Sequence, residues 1–193
     1  MTMRAGTERK LLDAAEDLFF AHGIAATSVD AVLERAGVSS ATLYRGFPSK
    51  EALVAATLER RQQDWLHTWT AAVARRTDPL DRLLAVFDAL DDFRTRSAAS
   101  RWCAFLGAAS EYADAPAAIR VVLDAESEAL RTRLTALAEP VVGTRAAVLG
   151  EQLLLVVSGA LAMRLREPGH DTAVARDVAR SLVARSLVVQ GSP

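Results

Sequence analysis

The sequence predicts an all-α fold, on three observations. Apolar residues recur at three- and four-residue spacing from one end of the 193-residue chain to the other. No segment alternates apolar and polar side chains for long enough to read as a strand. Capping residues, glycines and prolines fall between the periodic segments and mark where one helix stops and the next starts. Together these predict about nine helices, in an N-terminal three-helix domain at residues 1–48 and a larger helical domain at residues 49–193.

Leu11, Ala15, Leu18 and Phe19 share one face of a first helix from about Thr7 to His22, and Gly23 supplies its stop. Val29, Val32, Leu33 and Ala36 repeat the spacing in a short second helix, with Ser28 as N-cap, Asp30 in the first turn and Gly37 as the stop. Ser39 can cap a third helix whose apolar members, Leu43 and Phe47, lie one turn apart, and Pro48 ends it. Ser49, with Glu51 near the positive end of the dipole, opens a fourth helix through Leu53, Leu58, Trp65 and Trp69 to about Arg76. At 1.5 Å per residue that helix is about 40 Å long, more than three short helices can cover, so it is expected to connect two bodies.

Asp78-Pro79 places a capping residue before a proline at the first helical position and opens a helix through Leu83, Leu84, Phe87 and Leu90. A Ser-Ala-Ala-Ser break precedes a shorter helix from about Trp102 to Tyr112. The chain restarts at Asp114 to Pro116 for a helix through Ile119, Val122, Leu130, Leu134 and Leu137, with Pro140 as the expected stop. Gly143-Thr144 opens a strongly apolar helix to about Arg166. Pro168-Gly169 breaks it, and Asp171 caps a last helix to about Val189.

The chain is 51% apolar and 24% charged, a soluble globular composition. A net charge of -1 gives no overall attraction to a polyanion or an acidic membrane, so such a partner must be met by local clustering of bases. Cys103 is the single cysteine, which excludes an intramolecular disulfide and fits a reducing compartment. MTMRAGTERK lacks the apolar core of a signal peptide, and the longest greasy run, Leu153 to Met163, falls short of the roughly 20 residues that cross a bilayer. A cytoplasmic location without a membrane partner is expected. His22, His67 and His170 are scattered and have no partner at ligand spacing, so no metal or cofactor is expected. No phosphate loop or nucleophile elbow appears, and nothing supports an enzyme. Asp91, Asp92, Glu126 and Glu128 are expected to face water, screened by Arg94, Arg96 and Arg131.

The informative stretch is AGVSSATLYRGFPSK, Ala36 to Lys50. Between Arg35 and Lys50 it holds three bases and no acid. Helices two and three are joined by Ala36-Gly37-Val38, the anatomy of a helix-turn-helix, whose second helix enters the DNA major groove. Leu43 and Phe47 take the inward stripe and leave Ser40, Thr42, Tyr44 and Arg45 on exposed sides. A duplex would penalise carboxylates on just this surface. Arg45 can fork onto a guanine edge or onto phosphate, and Thr42 and Ser40 can meet a base or the sugar-phosphate. Tyr44 and Lys50 suit phosphate oxygens. Thr27, Ser28 and Ser39, with the free N–H groups at the two helix starts, add neutral donors.

The run from Thr7 to Leu53 closely resembles the DNA-binding domain of the TetR family of bacterial transcriptional regulators. It matches in the Ala-x-x-Leu-Phe of helix one, Gly23, Thr27-Ser28, Ala36-Gly37-Val38-Ser39, Leu43-Tyr44, Phe47 and Ser49-Lys50-Glu51. It departs at Ser40-Ala41, where many members carry Lys-Gly, and at Gly46, where many carry an aromatic or His. The rest of the chain resembles the helical regulatory half of such proteins, including Arg-x-Cys-x-Phe-Leu at Arg101 to Leu106. The resemblance implies a repressor whose partners are a double-stranded operator with an inverted repeat, a second copy of the chain and a small effector. It places an effector cavity among Trp65, Trp69, Phe87, Trp102, Cys103, Phe105 and Tyr112. The last two helices are apolar enough to need cover from a second chain. Leu153, Val156, Val157, Ala160, Val178 and Leu182 are the expected dimer contacts, with Ser158, Gly159, Ala160 and Ala162 permitting close approach.

Overall fold

The computed structural model describes residues 3–96, 103–112, 114–167 and 169–190. Among these, the regular structure is nine α-helices and a single 3-10 turn. In order they are α1 Ala5–His22, α2 Val29–Ala36, α3 Ser40–Gly46, α4 Lys50–Ala74, α5 Pro79–Arg96, α6 Ala104–Glu111, α7 Ala117–Val142, the 3-10 turn Gly143–Arg145, α8 Ala146–Arg166 and α9 Ala173–Gln190. The Ser97 to Ser100 break, Arg101, Trp102 and Pro168 lie outside the described residues.

The local signals act as caps. Ser28 accepts from the Ala31 N–H at 3.1 Å, Ser49 from Ala52 at 3.1 Å, and Asp78 from both Leu80 and Asp81 at 2.9 and 3.0 Å. Asp171 accepts from Ala173 at 3.0 Å. Ser39 stands at the N-cap of α3 without a side-chain bond to the helix backbone; its hydroxyl pairs with that of Thr42 at 2.9 Å.

One expected boundary is corrected. α7 does not stop at Pro140 but runs through it to Val142. Proline removes a single backbone donor there, on an exposed position, while Ala138 and Val142 on either side are fully buried. The burial of the last turn outweighs the lost bond.

The chain divides into two compact units, each assembled from two stretches: Met1–Gln63 with Ala104–Asp124, and Asp64–Cys103 with Ala125–Pro193. In the first, Leu11, Ala15, Phe19, Ile24, Val32, Leu43, Leu53 and Leu58 form the interior. Arg61 stacks 4.8 Å over the Phe20 ring and meets Glu16 at 2.9 Å, while Arg60 bridges Asp13 and Glu16 at 2.7 and 2.6 Å, so α4 is strapped to α1.

In the second unit the core gathers Trp69, Leu83, Leu84, Phe87, Leu134, Leu149, Leu153, Val157, Ala179 and Val183. Gly150 lets α8 lie close on α7, since a side chain there would run into the Thr135 hydroxyl and backbone. Asp91 is not simply solvated, as expected, but accepts from Arg164 at 2.8 Å and from the Thr172 hydroxyl at 2.7 Å. Arg164 is buried and also donates to the Leu90 carbonyl at 3.2 Å. Asp88 joins Arg76 and Arg176, tying α9 to α5.

By length and composition, Ala117–Arg166 contains an 18-residue window apolar enough to cross a membrane, with mean hydropathy 1.8, which amends the expectation from the greasy run alone. A third of that window is buried within the chain, Leu149, Leu153 and Val157 with it.

Candidate nucleic-acid interface

The geometry of the interface begins with one glycine. Gly37 has φ 64° and ψ 39°, the left-handed region that costs any other L-residue about 1 kcal/mol or more. There it turns the chain out of α2. Its N–H bonds to the Glu34 carbonyl at 3.2 Å, and the Val38 N–H reaches back to Leu33 at 3.2 Å. These two bonds close a Schellman motif and satisfy carbonyls that the helix end leaves free. Val38 is half-buried, and α3 starts two residues later.

Leu43 is fully buried and Phe47 nearly so, which fixes the rotation of α3. Ser39, Ser40, Ala41, Tyr44, Arg45 and Gly46 are exposed, and Thr42 is half-buried against the Ser39 hydroxyl. Tyr44 keeps 52% of its surface, a high value for a large aromatic ring. No carboxylate stands between Ala36 and Lys50. The nearest acid upstream, Glu34, is exposed on α2, and Arg35 is paired with Asp17 at 2.7 Å, so Arg45 is the cation that α3 itself presents. A side chain at Gly46 would collide with the Met3 side chain, which covers that end of α3.

Two of the residues expected at this surface serve the turn before α2 instead. Thr27 is buried, and its hydroxyl donates to the carbonyls of Gly23 at 2.7 Å and Leu18 at 3.3 Å. The half-buried Lys50 ammonium donates to the Ile24 carbonyl at 2.6 Å. Glu51 beside it is held below the usual carboxylate range, first by a backbone N–H and then by the Ser49 hydroxyl. Sequence reasoning missed the third participant, Glu111 at the end of α6, which accepts from Ile24 and Ala25. No local pattern could point to it from 86 residues away.

The expected effector residues divide between the units. Trp69 and Phe87 are fully buried in the second unit's core, and half-buried Trp65 packs on Trp69 and Phe93 with ring centroids 5.6 and 5.7 Å apart. Arg133 lies 4.6 Å over the Trp69 ring, yet the Trp69 indole N–H has no hydrogen-bond partner among the described residues. Cys103 is half-buried. Phe105 and Tyr112 belong to the first unit, and Tyr112 is raised above the usual phenol range by burial and by the Glu51 and Glu111 carboxylates. Trp102 is outside the described residues.

Of the expected dimer contacts, Leu153, Val157 and Ala160 are buried in this chain's own interior and leave nothing for a partner to cover. Val156 and Leu182 are half-buried, and Val178 is exposed. The apolar side chains left outside on α8 and α9 include Val148, Leu155, Val174, Val178 and Val188.

A short second helix, a Schellman turn and a third helix with a hydroxyl-rich, acid-free outer face define a helix-turn-helix protein of the all-α class. Residues 11–57 match the model of the family described as bacterial regulatory proteins, tetR family. These residues carry the chain's likeness to the TetR family. The HTH-type transcriptional activator FasR of Mycolicibacterium smegmatis is 37% identical over 84 residues, 44% of this chain and 38% of its own. The HTH-type transcriptional repressor KstR2 of Rhodococcus jostii is 33% identical over 92 residues, 46% of this chain and 45% of its own. Each match spans less than half the length of the curated relative. Likeness to solved structures extends further. A TetR-family transcriptional regulator from Streptomyces coelicolor superposes with a TM-score of 0.80 at 27% identity, over 97% of this chain and 91% of its own. A putative regulator of the same kind from Streptomyces avermitilis gives 0.76 at 25%, over 93% and 97%.

Proposed function

We propose that the protein is a dimeric, ligand-responsive transcriptional regulator, a repressor, in which α3 of each copy reads one half of an inverted-repeat operator. The observation that carries the reading is the outer face of α3, where Ser40, Thr42, Tyr44 and Arg45 stand without an acid between Ala36 and Lys50. Arg45 is the base-reading residue, and a good bidentate contact to guanine discriminates by about 1 to 3 kcal/mol. Ser28, Ser39 and Tyr44 serve the phosphates, together with the N–H groups that open α2 and α3. Lys50 and Thr27 hold the turn from behind.

Dimerisation supports the reading because a single Arg gives modest specificity and a second half-site doubles it. The exposed stripes of α8 and α9 supply the surface, and Gly159 and Ala162, both exposed, let two copies of α8 come close. For the effector, the orphaned indole N–H of Trp69 is the supporting feature. Burial without a partner is costly, and an acceptor on a small, largely apolar ligand would relieve it. Such a ligand weakens operator binding by the same factor by which the operator weakens ligand binding. The protein acts in the cytoplasm, where its operator is.

Selecting bound fragments from a random duplex pool tests this. An enriched inverted repeat is the expected result, and indifference to every duplex at low ionic strength overturns it. A second reading, a constitutive DNA-binding dimer without an effector, is favoured by the full burial of Trp69 and Phe87 in a packed core. Small molecules that shift the melting temperature without changing operator affinity would support that version.

A further inference from the structure

Both backbone faces of the turn between α1 and α2 are gripped by charged side chains. One oxygen of Glu111 accepts from the Ile24 N–H at 3.0 Å and the other from the Ala25 N–H at 2.5 Å. The Lys50 ammonium takes the Ile24 carbonyl from the other side, and the Thr27 hydroxyl takes that of Gly23. Gly23 itself has φ 90°, and a Cβ there would stand 3.3 Å from Oε1 of Glu111. The turn, the carboxylate and α6 thus fit together closely, within one compact unit.

Glu111 gains nothing on its own helix. It is the last residue of α6, where the helix dipole presents its negative end and disfavours a carboxylate. A carboxylate placed against that negative end is compensated by the two turn amides, since hydrogen bonds to an ionised acceptor are the strong kind. What the grip fixes is the entry to α2, which begins four residues after Ala25, and through the Gly37 turn the setting of α3.

We propose that Glu111 is a positioning residue for DNA binding: its two-point hold on Ile24 and Ala25 makes α6 part of the support on which the helix-turn-helix stands. This rests on the DNA-binding reading above.

The test uses the full chain with Glu111→Gln, which keeps the size but turns an amide donor toward one of the two N–H groups. Amide hydrogen exchange should accelerate about tenfold at Ile24 and Ala25, while core amides such as Leu11 and Leu53 keep their protection. The Kd for a selected duplex should rise about tenfold with an unchanged salt slope, because no phosphate contact is removed. Glu111→Asp keeps the charge, falls short by one methylene and should show the same losses in smaller measure. Glu128→Gln, which removes an exposed carboxylate of the other unit, should move none of these. Unchanged exchange and affinity in Glu111→Gln overturn the proposal. So does affinity lost only together with core protection in both Glu111 variants, since the role is then one of folding alone. A wild-type chain indifferent to duplexes removes the DNA reading, and the exchange measurement still decides whether the grip exists.

Discussion

Leu153 and Leu155 stand two residues apart on α8 and face opposite environments: Leu153 is 1% exposed within the core and Leu155 is 74% exposed on the outer face. The helix is apolar nearly all round, and one side of it alone is covered by its own chain. Leu155→Arg is therefore expected to leave the fold intact and convert a dimer to monomers by sedimentation equilibrium. Leu153→Arg buries an unpaired charge and is expected to unfold the unit, at a cost above about 4 kcal/mol. A Leu155→Arg protein that sediments as the wild type does would exclude this face as the dimer contact.

Arg45→Ala should lower discrimination between a selected operator and random duplex by about 1 to 3 kcal/mol, read as the ratio of the two Kd values. An equal loss on both duplexes would move Arg45 from base to phosphate.

Lys50→Met removes the ammonium from the Ile24 carbonyl and is expected to cost about 1 to 2 kcal/mol in chemical denaturation. Duplex affinity should fall for all sequences alike with the salt slope preserved. A slope shallower by about one charge would instead place the ammonium on phosphate.

Glu126 is half-buried on the α7 stripe between Val122 and Leu130, both buried, and burial pushes its carboxyl up to about 7, with the Ser127 hydroxyl acting the other way. The expectation that it faces water is corrected. An unfolded carboxyl titrates near 4.5, so between that pH and about 7 the folded chain holds a proton that the unfolded chain has lost. This contribution to stability is greatest below the lower value and is lost as pH rises through the window. Glu126→Gln should be more stable than the wild type by about 1 to 3 kcal/mol at pH 8 and no different at pH 4, measured by urea denaturation.

The parts of the fold legible in the sequence are those whose cause is local. Ser28, Gly37, Ser49 and Asp78 act on backbone groups within a few residues of themselves, so the caps and the turn before α3 could be read directly. Pro140 misled because the burial of Val142 is a tertiary fact that overrides a local rule. Asp91 looked solvated because its partner Arg164 lies 73 residues away. On α8 the apolar pattern hid which side turns inward, so Leu153 and Val157 were read as interface when they are core. At the candidate interface the outer face of α3 was legible from the spacing of Leu43 and Phe47. The engagement of Thr27 and Lys50 with the turn was not, because their side chains look equally suited to an anion.

The two-stretch makeup of the first unit bears on how such a protein can be taken apart. A fragment cut after Gln63 omits α6, leaving the Ile24 and Ala25 amides without their acceptor. Transplanting this reading head onto another scaffold therefore requires carrying residues 104–124 along with it, and a swap made at the end of the sequence motif would deliver a loosened graft.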